Sequence, residues 1–381
     1  MLLHMATPKP IASVSHPVGK ESLPESASLL LDIVRFSLAV LVVIGHVSQP
    51  PFSIGWPSLM AGADLGVPGF FVLSGFVIRY VTLTRERDAK RYWVNRISRM
   101  YSVVLPAIAV AFVCGFLVRR LDPAFWVAAN GPGLWDHIGL RLFLGLTFLT
   151  QLWGHNVILL SDGPLWSLGY EVSYYVLFGV LMFTRGPKRW LWFAAVLLFY
   201  GPQIAYLLPL WWSGCWLYDL WQATRKSAKA GWVAAGCLAV VLALIFPWPL
   251  GGVLRIATLP NPLEVLHQFP GRATNLAWAG GLLAFTALYL ALTLSDMISI
   301  RTGAAWERWV RRIAEGTFAL YVLHRPLLVL AGALHLYRPD HTSDKVLLIF
   351  VLTVIGILAS SPMDSLKNVL RRVLTGKPAK M

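Results

Sequence analysis

The sequence predicts an all-α fold: a polytopic integral membrane helical bundle of about ten transmembrane helices with no soluble domain. Three observations predict it. Of the 381 residues, 57% are hydrophobic and 13% charged, whereas a soluble domain carries about 45–50% apolar and about 25% charged residues. The apolar residues fall into runs long enough to cross a bilayer, which takes ~20 residues. The Lys and Arg residues behind the net charge of +15 gather in short loops between those runs, as positive-inside topology requires. In a soluble protein that charge would suggest nucleic acid. Here the bilayer is the expected partner, and no nucleic acid is.

Taken in order, residues 1–28 are rich in Ser, Pro and small residues without a continuous apolar core. They read as a disordered cytosolic tail, with no cleavable signal peptide visible. Apolar runs follow at 29–47, 65–83, 99–118, 165–183, 189–206, 207–221, 231–249, 273–295, 313–335 and 345–361, giving a membrane domain over 29–361. A further apolar piece, 139–160, is interrupted by Gln151, Gly154, His155 and Asn156. The densest cationic cluster, Arg85, Arg87, Lys90, Arg91, Arg96 and Arg99, belongs in the cytosol. Alternation then puts loop 48–64, which has no Lys or Arg, outside. The clusters Arg185/Lys188/Arg189, Arg225/Lys226/Lys229, Arg301/Arg308/Arg311/Arg312 and Lys367/Arg371/Arg372/Lys377 fall inside, provided 139–160 does not cross. Both termini are then cytosolic, with 362–381 a basic tail; if 139–160 does cross, the count is eleven. No inverted repeat is evident, which weighs against a secondary transporter. Cys114, Cys215 and Cys237 all lie within apolar stretches, without metal-site spacing, and no metal is expected.

The first run, LLLDIVRFSLAVLVVIGHV, carries Asp32, Arg35 and His46. An ionisable group near the centre of a spanning helix costs roughly 2.5–3.5 kcal/mol, so it usually has a partner or a task. Arg35 and His46 are eleven residues apart, which on a helix leaves them within ~20° of one stripe and ~16 Å apart along the axis. A near-neutral imidazole can take a proton at working pH, although a lone His at a helix end is more often structural. Asp32, three residues before Arg35, offers it an ion pair. In the second run Gly66, Gly69, Ser74 and Gly75 form a small-residue face for close helix packing or a thin ligand. Arg96 and Arg99 share one face at the cytosolic surface; they suit snorkelling or a phosphorylated ligand. Glu171 lies about two turns into the fourth run and needs a buried partner. His46 is the candidate, since both are expected at the outer end. The ninth run places His324 and Arg325 before Pro326. The outer side also collects Asp64, Asp162 and several tryptophans, including Trp166. These suit the interfacial aromatic belt or stacking on a sugar.

Five segments, in order, resemble the acyltransferase 3 family of membrane-bound acyltransferases. LDIVRFSLAVLVVIGH is similar to its Asp-x-x-Arg and Arg-x10-His pattern, and LGVPGFFVLSGFVI to its Phe-Phe-x-x-Ser-Gly-Phe segment. RISR resembles its Arg-x-x-Arg motif, LWSLGYE its Trp-Ser-Leu-x-x-Glu, and GTFALYVLH its segment ending Tyr-x-x-His. Pro68, Gly69, Ser102, Val172 and Thr317–Phe318 depart from the residues frequent in the family at those places. The resemblance implies transfer of an acyl group, acetyl above all, from cytosolic acyl-CoA to a carbohydrate or glycolipid hydroxyl beyond the outer face. It implies a multi-pass protein of a bacterial inner membrane. Carried over by position, His46 is the catalytic base, Arg35 its motif partner and Glu171 the essential acid supporting it. Arg96 and Arg99 contact the donor, and Asp32, Ser74, Trp166 and His324 complete the expected substrate- and donor-binding set. The rival expectation, of a different class, is a proton-coupled glycolipid or anion transporter or flippase using His46, Glu171 and His324 as a relay.

Overall fold

The apolar runs become helices because a backbone in lipid must satisfy its own hydrogen bonds. The computed structural model describes residues 23–225, 227–245, 271–297 and 305–376. Lys226, Arg301, Lys377 and the end of the run expected at 231–249 lie outside the described residues, as do residues 1–22 of the expected tail. The helices are α1 (Glu25–Val47), α2 (Met60–Thr84), α3 (Ala89–Leu121), α4 (Pro123–Asn130) and α5 (Ile138–Leu146). They continue with α6 (Trp166–Phe183), α7 (Lys188–Tyr200), α8 (Pro202–Thr224) and α9 (Ala228–Ile245). After them come α10 (Gly271–Ser295), α11 (Ala305–Glu315), α12 (Thr317–Ala333) and α13 (Thr342–Thr375). Among the described residues there is no β-strand, and the fold is an all-α bundle.

Six of these helices are long and apolar enough to span a membrane; α11 and α12, bent by 48° at their junction, make a seventh if counted as one. The chain is therefore a multi-pass membrane protein. The ten spans expected are not reached among the described residues. The 189–206 run breaks at Gly201, whose φ of +94° ends α7 after 13 residues. That is ~20 Å of helix where the hydrocarbon core needs ~30 Å. Helix α8 is 23 residues long, yet Trp, Tyr and Pro209 replace the aliphatic residues of a simple span. The interrupted piece 139–160 forms the nine-residue α5 and a single 3-10 turn at Leu152–Gly154, with left-handed backbone at Phe148, Trp153 and Leu160, and no span-length helix.

Two boundaries also move. Helix α1 starts at Glu25, inside the stretch expected to be tail. Helix α13 runs through Pro362 to Thr375, so most of the expected basic tail is helix.

Helix α2 sits centrally, packed on α1, α8 and α10. Its small residues explain this, although they lie on separate faces and not on the one face expected. A Cβ on Gly75 would stand 2.0 Å from the Trp211 carbonyl oxygen, and one on Gly214 would stand 1.9 Å from that of Val72. The two glycines let α2 and α8 touch backbone to backbone. Gly66 and Gly69 instead face α1, at Leu38 and Leu41. An aromatic layer, in which Phe71, Tyr174, Phe178 and Trp211 meet at ring separations of 5.7–5.9 Å, ties α2 to α6 and α8. Helix α12 packs on α3 and α13, again across glycines: Gly316 faces Ile357, and Gly356 faces Leu320.

Candidate active site

Two cavities open into one another at the arginine-rich end of the bundle. The wider, of about 710 Å³, is lined by Arg35, Arg85, Arg91, Arg96 and Arg99, and by Lys367 and Arg371 from α13. The narrower is a slot of about 80 Å³ with mostly apolar walls, including Val67, Phe70, Phe71, Leu168 and Phe318. Arg35, Val77, Arg96, Arg99 and Phe318 line both, so the two form one funnel from a basic chamber into an apolar slot. Ser74, Glu171 and Tyr175 line the slot, as do Ser167 and Tyr321.

Arg35 comes from the middle of α1 and bonds Asp32 at 3.4 Å. Asp32 also meets Arg311 of α11 at 3.6 Å, so this carboxylate joins α1 to α11 and lines neither cavity. Arg96 donates to both oxygens of Glu86 at 2.7 Å and lies over the Tyr92 and Tyr175 rings at 5.5 Å. Both bonds come from one nitrogen, Nη2, and this buried charge-assisted pair fixes the side chain. Arg99 lies over the Phe318 ring at 5.5 Å and has no ion pair among the described residues. Of the two expected donor-contacting arginines, Arg99 is the one without a carboxylate partner among the described residues.

Glu171 corrects one expectation. Its Oε1 accepts from Ser74 Oγ at 3.0 Å and from the Tyr175 hydroxyl, and no hydrogen bond joins it to His46. The reason is depth. Glu171 lines the slot with Arg35, and Arg35 stands ~16 Å below His46 along α1. The carboxylate finds its partners in two hydroxyls instead.

The partner of His46 is His324. In the last turn of α1, His46 Nδ1 lies 2.9 Å from the Val42 carbonyl and 3.3 Å from His324 Nε2, with ring centroids 5.0 Å apart. His324 is 1% exposed, and its Nδ1 lies 3.1 Å from the Leu320 carbonyl. Carbonyl oxygens only accept, which assigns the tautomers in a neutral pair. His324 Nδ1–H donates to Leu320, leaving its Nε2 bare. His46 Nδ1–H then donates to Val42 and His324, so the lone pair of His46 is on Nε2. A ring with one nitrogen tethered and the other bare is set up to accept a proton.

Tyr321 links this pair to the slot. It lines the slot, its hydroxyl is 2.8 Å from Ser167 Oγ, and its ring centroid is 6.3 Å from that of His324. A relay through His46, Glu171 and His324 is thus present only in its two histidines. Trp166 packs edge-on against Tyr170 at 5.4 Å and lines neither cavity. Asp162 is fully buried, and Arg325 is the cation whose charge acts on it. Arg325 donates to the Ala129 carbonyl at 2.8 Å and covers the Phe52 ring at 4.6 Å.

Sequence reasoning passed over Glu86, Tyr175, Ser167 and Tyr321 as site residues. Glu86 had a usable signal, being with Asp88 one of only two acids among the cations of the densest basic loop. Tyr175 had another, one helical turn after Glu171. Ser167 and Tyr321 meet across 154 residues of chain, and no local pattern announces that contact.

A family model described as an acyltransferase domain matches residues 29–362. No curated protein and no solved structure matches the chain.

Proposed function

Since the chain belongs to the acyltransferase 3 family, a family of membrane acyltransferases, we propose that it moves an acyl group, acetyl above all, from acyl-CoA to a carbohydrate or glycolipid hydroxyl. The observation that carries this reading is the funnel. A basic chamber suits the phosphates of a coenzyme, and the narrow slot suits its thin thioester arm. Tyr321 lines the slot, and its ring centroid stands 6.3 Å from that of His324, the partner of His46. On this reading the protein sits in a bacterial inner membrane, with the arginine-rich end and both termini in the cytosol. The acceptor arrives from the opposite face.

In the proposed reaction the acceptor hydroxyl gives its proton to His46 Nε2 as its oxygen attacks the thioester carbon. The carbon–sulfur bond breaks, and the imidazolium returns its proton to the departing thiolate. His324 positions His46 by accepting the Nδ1 hydrogen. Glu171, Ser74 and Tyr175 shape the slot wall, and Arg35 adds positive charge where slot and chamber meet.

The test is thiol release. Membranes holding the full-length protein are incubated with acetyl-CoA, with and without candidate glycans, and free CoA is measured. Acceptor-dependent release is expected, and His46→Ala should lower it by ~10²–10⁴, the usual worth of a positioned general base. Undiminished release by a correctly inserted His46→Ala protein would overturn the assignment. Proton-coupled flux of a glycolipid without CoA release would favour a transporter.

A further inference from the structure

We propose that Arg371, assisted by Lys367 one turn earlier, binds a terminal phosphomonoester of the donor at the mouth of the basic chamber: the 3′-phosphate of a coenzyme A-type nucleotide. The proposal rests on the acyl-CoA reading above. Both residues lie beyond position 362, where the family match ends. Helix α13 nevertheless continues to Thr375 and lends Met363, Asp364, Lys367 and Arg371 to the chamber wall.

What the chamber's cations already hold separates them. Arg35 has Asp32, Arg96 has Glu86, and Lys367 has Asp364. Arg85 donates to the Tyr80 hydroxyl and Arg91 to the Arg85 carbonyl. Arg99 and Arg371 alone line the chamber without an ion pair or a side-chain hydrogen bond among the described residues. An unengaged guanidinium in a concave wall offers five donors in the fork geometry that fits phosphate.

The two stand at different depths. Arg99 lines slot and chamber together, whereas Arg371 lines only the chamber. A CoA thioester presents its groups in the matching order: reactive carbonyl, thin arm, diphosphate, then ribose with its 3′-phosphate and base. With the arm in the slot, the diphosphate reaches Arg99 and the outermost phosphate reaches Arg371.

A lipid headgroup phosphate offers the same chemistry to a cation at a membrane surface. The neighbouring Arg372 serves as the control, because it lies on the same turn but does not line the chamber. Arg371 and Arg372 are both exposed, so replacing either leaves the core intact.

The experiment is calorimetric titration of the full-length protein in zwitterionic and in anionic lipid nanodiscs, with CoA and with 3′-dephospho-CoA. The wild type should bind CoA about tenfold or more tightly than 3′-dephospho-CoA, as one charge-assisted phosphate contact implies. Arg371→Gln should lose about tenfold in CoA affinity and leave 3′-dephospho-CoA within about twofold. Lys367→Gln should lose less, and Arg372→Gln nothing, in both lipids. If Arg371→Gln weakens both ligands equally, weakens neither, or acts only in anionic lipid, the phosphomonoester site is overturned while the acyl-CoA reading stands. If the wild type binds neither ligand, both fall together.

Discussion

At the scale of single residues, the site is defined by what His46 touches. An imidazole acts as a base only from a bare nitrogen, and the contacts with Val42 and His324 leave Nε2 in that state. Neither histidine lines the slot; His324, 1% exposed and in contact with His46 Nδ1, contributes orientation. His324→Ala should lower kcat roughly tenfold, the worth of one hydrogen bond of ~1.4 kcal/mol. The KM for acyl-CoA should stay unchanged. His324→Gln places an amide oxygen near the old Nε2 and should recover part of the loss. Steady-state kinetics separates this from general damage, which would move both constants in both variants.

At the scale of helices, close approach between α2 and α8 sets the frame on which the slot is built. Gly75→Ala would drive a methyl into the Trp211 carbonyl, a backbone atom that no rotamer change can clear. Overpacking of this kind typically costs ~1–3 kcal/mol, so the thermal midpoint in detergent should fall. Gly231→Ala in α9 meets nothing within 4 Å and should be neutral or gain the ~0.5–1 kcal/mol that alanine offers in a helix. Equal midpoints for the two variants would remove the claim that this crossing is constrained.

The same scale shows what the sequence could say. The stripe joining Arg35 to His46 and the interruption of 139–160 follow from helical periodicity and loop chemistry, which are local. The small residues of α2 do not share one face, since Gly75 meets α8 while Gly66 and Gly69 meet α1. The partner of His46 was misread because Glu171 was placed by counting turns from a helix start, while its depth is set by how α6 packs. The short α7 hid within a continuous apolar run, since hydrophobicity alone does not mark the left-handed turn at Gly201.

At the scale of the whole molecule, α13 lends Ser360, Met363, Asp364, Lys367 and Arg371 to the basic chamber and nothing to the slot. Near the opposite end, Lys345 of α13 is fully buried. It donates to Ser53 Oγ and to the Ile54 and Pro339 carbonyls at 2.9–3.1 Å, beneath the Trp56 ring at 4.5 Å. Lys345→Met would strand those acceptors, each worth ~1–3 kcal/mol when left unmade, so a clear drop in thermal midpoint is expected. The consequence reaches further. Lys345 and Arg371 are 26 positions apart on one helix, ~39 Å of rod. Helix α13 is a cantilever, bolted beside the loop that follows His46 and carrying its load at the coenzyme's doorway. Slack at the bolt should therefore register at the far tip as weaker CoA binding, measurable by the same titration at temperatures well below melting.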